Sequence, residues 1–200
     1  AFAQTIADTL KAAKKPLIIS GTSLQDPAIM EAAAQAAQNL GANAGLTLTV
    51  PEVNSMGMAI LGGQSLEQAF AQDYDTIVIV ENDLYRRLPA KQINAALAKA
   101  KDIIVLDHAE TETVKKANIV LSAASFAEGD GTVVSQEGRA QRFYQVYDAS
   151  YYKPEYAIKE SWRWIHAIET GVKGQAISWS VLDDVIESVA KNVPALEAIQ

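Results

Sequence analysis

The residues best equipped for chemistry crowd into Ser125-Phe-Ala-Glu-Gly-Asp-Gly-Thr-Val-Val-Ser-Gln-Glu-Gly-Arg-Ala-Gln-Arg142, a polar run that follows the last of several apolar strands. Gly129, Gly131 and Gly138 lie there among Glu128, Asp130, Glu137, Arg139, Gln141 and Arg142. Such glycines let the backbone turn tightly while charged and amide groups are held close together, as in a binding site or an interface. Arg139 is expected to sit in a packed charged network, where removing one partner leaves the other unpaired.

Three other loops carry reactive groups, each just after a strand, the edge where α/β sheets place ligands. Gly21-Thr-Ser23 precedes a helix and reads either as a phosphate-binding turn or as a plain strand-to-helix turn; it matches neither a G-x-G-x-x-G fingerprint nor a P-loop. Asp107-His-Ala-Glu-Thr-Glu112 gathers one imidazole and three carboxylates, either a metal or acid-base site or a polar loop whose acids favour the next helix N-terminus. Asn82-Asp-Leu-Tyr-Arg-Arg87 offers an arginine pair for a phosphate or carboxylate, or else a solvated loop with weak local ion pairs. His166, flanked by tryptophan-bearing turns, reads as a packed or surface histidine. No serine-histidine-acid pattern and no carboxylate pair of defined separation emerges.

The elements that must position these loops alternate. Phe2 to Lys14 reads as an amphipathic helix ended by Pro16, and Leu17 to Ser20 as a short strand. Asp26-Pro27 supplies an N-cap and a first-turn proline for a helix from Ala28 to Leu40, stopped by Gly41. Leu46 to Val50 is a strand, Asn54 to Gly63 a loop, and Ser65 to Gln72 a short helix with Glu67 and Gln68 in its first turn. Strands at Thr76 to Val80, Ile103 to Leu106 and Ile119 to Leu121 are separated by a helix from Pro89 to Lys99 and a short one near Thr113 to Lys116.

Continuous apolar strands separated by helices predict an α/β fold: a doubly wound, mostly parallel sheet of about five strands, Rossmann-like, covered on both faces. Residues 1–123 would form this α/β domain. Residues 124–200 would add a β-hairpin and a C-terminal helical extension packed on it. The extension contains five of the seven tyrosines and two helices, Glu155 to Thr170 and Ser180 to Asn192, the second capped by Ser178 or Ser180.

Composition narrows the function. A net charge of -7 and a pI near 4.9 oppose nonspecific binding to nucleic acid or anionic lipid. With no cysteine, disulfides, thiolate-held zinc, cysteine-ligated clusters and cysteine nucleophiles are excluded within these residues. No apolar run approaches the roughly 20 residues of a membrane span, and no secretory signal is visible, so a cytosolic setting is expected. A first residue other than Met, already in a helical pattern, suggests a piece of a longer protein.

Phe126-Ala-Glu-Gly-Asp-Gly-Thr-Val-Val-Ser-Gln-Glu-Gly-Arg-Ala-Gln141 resembles the hairpin signature of the molybdopterin oxidoreductase superfamily, in the branch formed by the large iron-sulfur subunits of bacterial respiratory complex I. Pro16 to Thr22, Pro51 to Gly57, Glu81 to Tyr85, Val105 to His108, Ala117 to Leu121 and the tail from Trp162 to Ile199 are similar to that branch in order.

The resemblance implies a structural C-terminal part of a subunit that serves NADH:quinone electron transfer, in the peripheral arm on the cytoplasmic side of the bacterial inner membrane. Its partners would be other complex I subunits, with no nucleic acid and no direct membrane insertion. Iron-sulfur clusters, [4Fe-4S] and [2Fe-2S], would be bound upstream and none here. It assigns no catalytic, cofactor-binding or metal residue; Gly131, Thr132, Glu137, Gly138, Arg139 and Gln141 would form a vestigial or structural hairpin. Ser135 stands where the family usually has asparagine. The alternative reading is a cofactor-binding domain of a molybdopterin oxidoreductase or the central domain of a thiamine-diphosphate enzyme.

Overall fold

A computed structural model describes residues 2–24, 26–152, 154–175 and 178–199. Contacts divide the chain into two compact units, residues 1–61 with 133–141, and residues 62–132 with 142–200. This grouping follows contacts, whereas the division at residue 123 follows composition along the chain.

In the first unit, α1 (Phe2–Ala12) precedes β1 (Leu17–Gly21), α2 (Pro27–Leu40), β2 (Gly45–Thr49) and α3 (Ser55–Leu61). Asp26 Oδ1 accepts the Ala28 amide at 3.0 Å, Pro27 occupies the first turn, and Gly41 ends α2 with φ 93°, as the sequence signals require. Strands β1 and β2 pair in parallel, Leu17 opposite Gly45 through Gly21 opposite Thr49. The loop expected over Asn54 to Gly63 contains α3 instead. Gly57 permits this helix, because a Cβ there would fall 2.2 Å from Asn54 Oδ1.

The second unit holds α4 (Leu66–Phe70), β3 (Thr76–Val80), α5 (Ala90–Leu97), β4 (Asp102–Asp107) and β5 (Ile119–Ser122). Ser65 and Gln68 form a reciprocal capping box on α4. The three strands form a parallel sheet in the order β3-β4-β5. Asn118 fixes the register of the last pair: its Oδ1 accepts the Ile103 amide at 2.7 Å while its own amide donates to Ile103 O at 2.8 Å. Ile79, Leu84, Ile93, Leu97, Ile103 and Val105 make the core, with Leu66 and Phe70 packed against it. Burying such side chains contributes about 1.5–3 kcal/mol each.

The α/β class therefore stands, with its five parallel strands arranged as one ladder of two and one of three. β4, the middle strand, takes the deepest burial: its successive residues Val105 and Leu106, which point to opposite faces, are both fully buried, while Val78, Val80, Ile119 and Val120 on the flanking strands are exposed.

The hairpin consists of β6 (Gly131–Val134) and β7 (Ala140–Phe143). After it come α6 (Ala149–Tyr152), α7 (Ser161–Lys173) and α8 (Leu182–Asn192). Helix α7 starts later than the expected Glu155, since Lys159 first runs beside the end of β5: Ala123 bridges Lys159 in parallel and the Ala124 amide donates to Lys159 O at 2.9 Å. Neither Ser178 nor Ser180 caps α8. Asp184, inside the first turn, reaches back and accepts the Val181 and Ser180 amides at 3.0 and 2.6 Å.

Candidate functional site

The hairpin turn is built by Ser135. Its amide donates to Arg139 O at 2.9 Å, its carbonyl accepts the Gly138 amide at 2.9 Å, and its hydroxyl accepts the Glu137 and Arg139 amides at 3.3 Å each. A short acceptor side chain is what such a turn uses, so serine serves where asparagine is the expected residue. Gly138 takes φ 78°, a conformation that favours glycine. The Val134 amide donates to Asn54 Oδ1 at 2.9 Å, tying the end of β6 to the start of α3.

Glu137, Arg139 and Gln141 line a groove of about 460 Å³ together with Ser135, Gln136 and the loop Val50 to Val53 after β2. Gly131 and Thr132 do not line it. Gly131 has a packing role: a Cβ there would fall 2.3 Å from the Phe143 ring.

Arg139 is not packed as expected. Its side chain is 70% exposed and lies 3.7 Å from Glu137, its exposed neighbour on the turn. The networked guanidinium belongs to Arg142, whose side chain is 30% exposed, pairs with Asp183, and reaches Asp130 Oδ2 at 3.3 Å. Its pKa is held above the ordinary arginine value, first by the hydrogen bond to Asp183 and then, against partial desolvation, by Asp130. The guanidinium also lies 5.1 Å from the Tyr144 ring centre. Asp130 Oδ1 accepts the Gln145 amide at 2.6 Å. Both arginines sit in the same polar run, and strand alternation alone does not say which of them meets Asp183, 41 residues away.

Of the three strand-end loops, the first is closed by the neighbouring strand and the other two by their own carboxylates. At the end of β1, the Thr22 amide donates to Thr49 O at 3.2 Å, and a Cβ on Gly21 would lie 2.4 Å from Thr49 Oγ1. Gly21 is thus required by the close approach of β2. After β4, Asp107 Oδ1 accepts the His108 and Ala109 amides at 2.8 and 3.1 Å. After β3, Asp83 Oδ1 accepts the Tyr85 amide at 3.3 Å and the Thr113 hydroxyl at 2.8 Å, and Thr113 Oγ1 accepts the Leu84 amide at 2.8 Å.

Thr113, which no sequence pattern singles out as a site residue, thereby joins two of the three candidate loops. Arg87 Nε donates to Asn82 Oδ1 at 3.0 Å. The Tyr85 hydroxyl is pushed up, first by burial and then by the charges of Glu112 and Asp83, and it reaches Asn94 Oδ1 at 2.6 Å. His166 lies with its ring centre 6.2 Å from that of Trp179. It lines a polar cavity of about 440 Å³ with Glu128, Asp148, Lys159, Glu160 and Arg163. Among the described residues no group of three or more His, Cys, Asp or Glu is placed to hold a metal ion.

The molybdopterin oxidoreductase family model matches residues 1–169. The chain belongs to the molybdopterin oxidoreductase family. Within it, this family member is 52% identical to the G subunit of the NADH-quinone oxidoreductase of Pseudomonas putida, an alignment that covers all of the chain and 23% of that protein. It is 46% identical to the corresponding G subunit of Escherichia coli K12, over 98% of the chain and 22% of the relative. That of Pseudomonas fluorescens is 50% identical over the whole chain and 23% of its own length. The chain thus spans about a quarter of the length of these relatives.

The family is named for a phosphate-bearing, anionic pterin that carries molybdenum. At the strand ends, the donors of this member do not fit such a group. An anion at the strand ends needs free backbone amides. Here the amides of residues 85, 108 and 109 are taken by Asp83 and Asp107, whose charges repel phosphate, and that of Thr22 is taken by Thr49.

Proposed function

We propose that these residues form a structural, non-cluster-binding domain of the large iron-sulfur subunit of an NADH:quinone oxidoreductase, in its peripheral arm on the cytoplasmic side of the membrane. Electrons would pass from NADH to quinone through iron-sulfur centres, [4Fe-4S] and [2Fe-2S], held elsewhere in the subunit. The domain supplies fold and assembly contacts to the other subunits and moves no electron itself. No helix among the described residues is long and apolar enough to cross a membrane, in keeping with a peripheral position.

The observation that carries the reading is the capping of the strand ends by Asp83 and Asp107, which converts the usual ligand edge into internal structure. The hairpin reads as architecture on grounds of its own: Gly131 packs against Phe143 and Gly138 forms its turn, while Glu137, Arg139 and Gln141 offer a polar surface.

The test is Asp83→Asn with Asp107→Asn in the full-length subunit within the assembled complex. The expected result is a lower yield of complex, with unchanged NADH oxidation and unchanged cluster EPR signals per assembled complex. A fall in turnover per complex, or an altered cluster signal, would place chemistry in this domain and overturn the proposal.

A further inference from the structure

All seven tyrosines of this chain lie in the second unit, whereas its three methionines, Met30, Met56 and Met58, lie in the first, and cysteine is absent. The second unit therefore has none of the sulfur side chains that ordinarily take up oxidising equivalents. Electron loss there falls to tyrosine and tryptophan.

Two of these tyrosines are held ring against ring. Tyr147 stacks on Tyr152 with ring centres 4.9 Å apart and planes 9° from parallel, and Tyr151 meets Tyr152 edge-on at 5.0 Å. The backbone fixes the pair. The Tyr147 amide donates to Ala127 O at 3.0 Å, and its carbonyl accepts Gln145 Nε2 at 3.2 Å. Asp148 Oδ1 accepts the Ser150 amide and hydroxyl at 2.9 and 2.6 Å, which sets the start of α6, the helix that carries Tyr152. Tyr147 and Tyr152 are 41% and 64% exposed, within reach of a dissolved oxidant. Elsewhere, Tyr85 is packed against the core with its hydroxyl on Asn94, and Tyr144 lies under the Arg142 guanidinium, whose charge opposes loss of an electron.

We infer that Tyr147 and Tyr152 are an oxidative cross-linking site, where two equivalents of a diffusible one-electron oxidant, of the carbonate-radical class, join the rings as an intrachain dityrosine. Each phenol gives one electron to an oxidant and its hydroxyl proton to water. The two phenoxyl radicals carry spin density at the carbons ortho to oxygen, and a C–C bond forms between one such carbon of each ring. The ring hydrogens displaced there are lost from carbon while both oxygens regain a hydrogen. In sum two electrons and two protons leave, and the backbone stays whole.

Stacking makes the coupling step unimolecular, which favours it over encounter between separate chains. Tyr151, edge-on to Tyr152, has no face-to-face overlap with it, so the bond is assigned to Tyr147. The product would pin the start of α6 to the segment that leads into it. The inference stands on ring geometry and does not depend on the subunit assignment.

The experiment oxidises the full-length protein with photolysed ruthenium tris-bipyridine and persulfate, then cuts it with a protease that cleaves before aspartate. Cleavage before Asp148 separates Tyr147 from Tyr152, so the expected product is the two peptides joined and lighter by two hydrogens than their sum. Tyr147→Phe and Tyr152→Phe should each lose this product, and either serves if the other fails to fold. Tyr151→Phe should keep it. The parent unfolded in urea should give it in much lower yield, since the stack, and not nearness in sequence, selects the pair. Absence of the joined peptides from the folded parent would overturn the inference. So would their persistence in Tyr147→Phe, their loss in a folded Tyr151→Phe, coupling chiefly between chains, or an equal yield in urea.

Discussion

Thr113 and Asp83, thirty positions apart, meet in a 2.8 Å hydrogen bond from the threonine hydroxyl to the carboxylate. Thr113 is fully buried, and the same hydroxyl accepts the Leu84 amide, so one side chain closes the loop after β3 with the loop after β4. Two segments that read as separate candidate sites are one structural junction.

Thr113→Val keeps the shape and removes both hydrogen bonds, leaving the buried Leu84 amide unsatisfied. The expected loss is about 2 kcal/mol of unfolding free energy, the usual cost of a stranded buried polar group. Thr113→Ser should restore most of it. Denaturant unfolding measures both variants, and equal midpoints for Thr113→Val and the parent would remove Thr113 from this role.

Gly131→Ala forces a methyl group into the Phe143 ring, 2.3 Å away. Overpacking of this kind costs about 1–3 kcal/mol. The double variant with Phe143→Leu should recover part of the loss. A thermal melt in which Gly131→Ala alone is silent would show that the hairpin absorbs the methyl without strain.

The two hairpin arginines should differ. Arg139→Ala, at an exposed turn, is expected to change stability by no more than about 0.5 kcal/mol. Arg142→Ala removes the partner of Asp183 and Asp130 and should lower the melting temperature clearly, with Arg142→Lys falling between because an ammonium cannot span both carboxylates in a fork. The reverse order of the two alanine variants would contradict a network centred on Arg142.

Two caps titrate. The Asp184 carboxyl is lowered below its ordinary value by the Val181 amide first and the Ser180 amide second, and Asp148 is lowered chiefly by the Ser150 hydroxyl. A depressed folded-state pKa stabilises the fold above the unfolded value, about 3.9 for Asp, and that stability is lost as pH falls through the folded value. Melting temperature should therefore decline below about pH 4. Asp184→Asn should flatten the decline, and a parallel pH profile for this variant and the parent would exclude Asp184 as a source.

Much of the local structure is legible in the sequence because it rests on neighbours in the chain. Asp26, Pro27 and Gly41 delimit α2 as their residue types require, and Ser65 with Gln68 starts α4. The α8 cap is not legible in the same way, because a carboxylate inside the helix can compete with serines before it. Helix α3 is hidden because Gly57 looks like a breaker, yet its missing Cβ is what admits the Asn54 side chain.

Residue types and their order suffice for the α/β class, the absence of thiolate chemistry within these residues, and the family. Those properties follow from composition, short-range periodicity and motif order. It takes the folded chain to show that Arg142, and not Arg139, holds the charged network, that Gly21 makes room for Thr49, and that Thr113 seals two loops. Each depends on an approach between residues 28 to 41 positions apart, set by strand register and helix placement that no local pattern encodes.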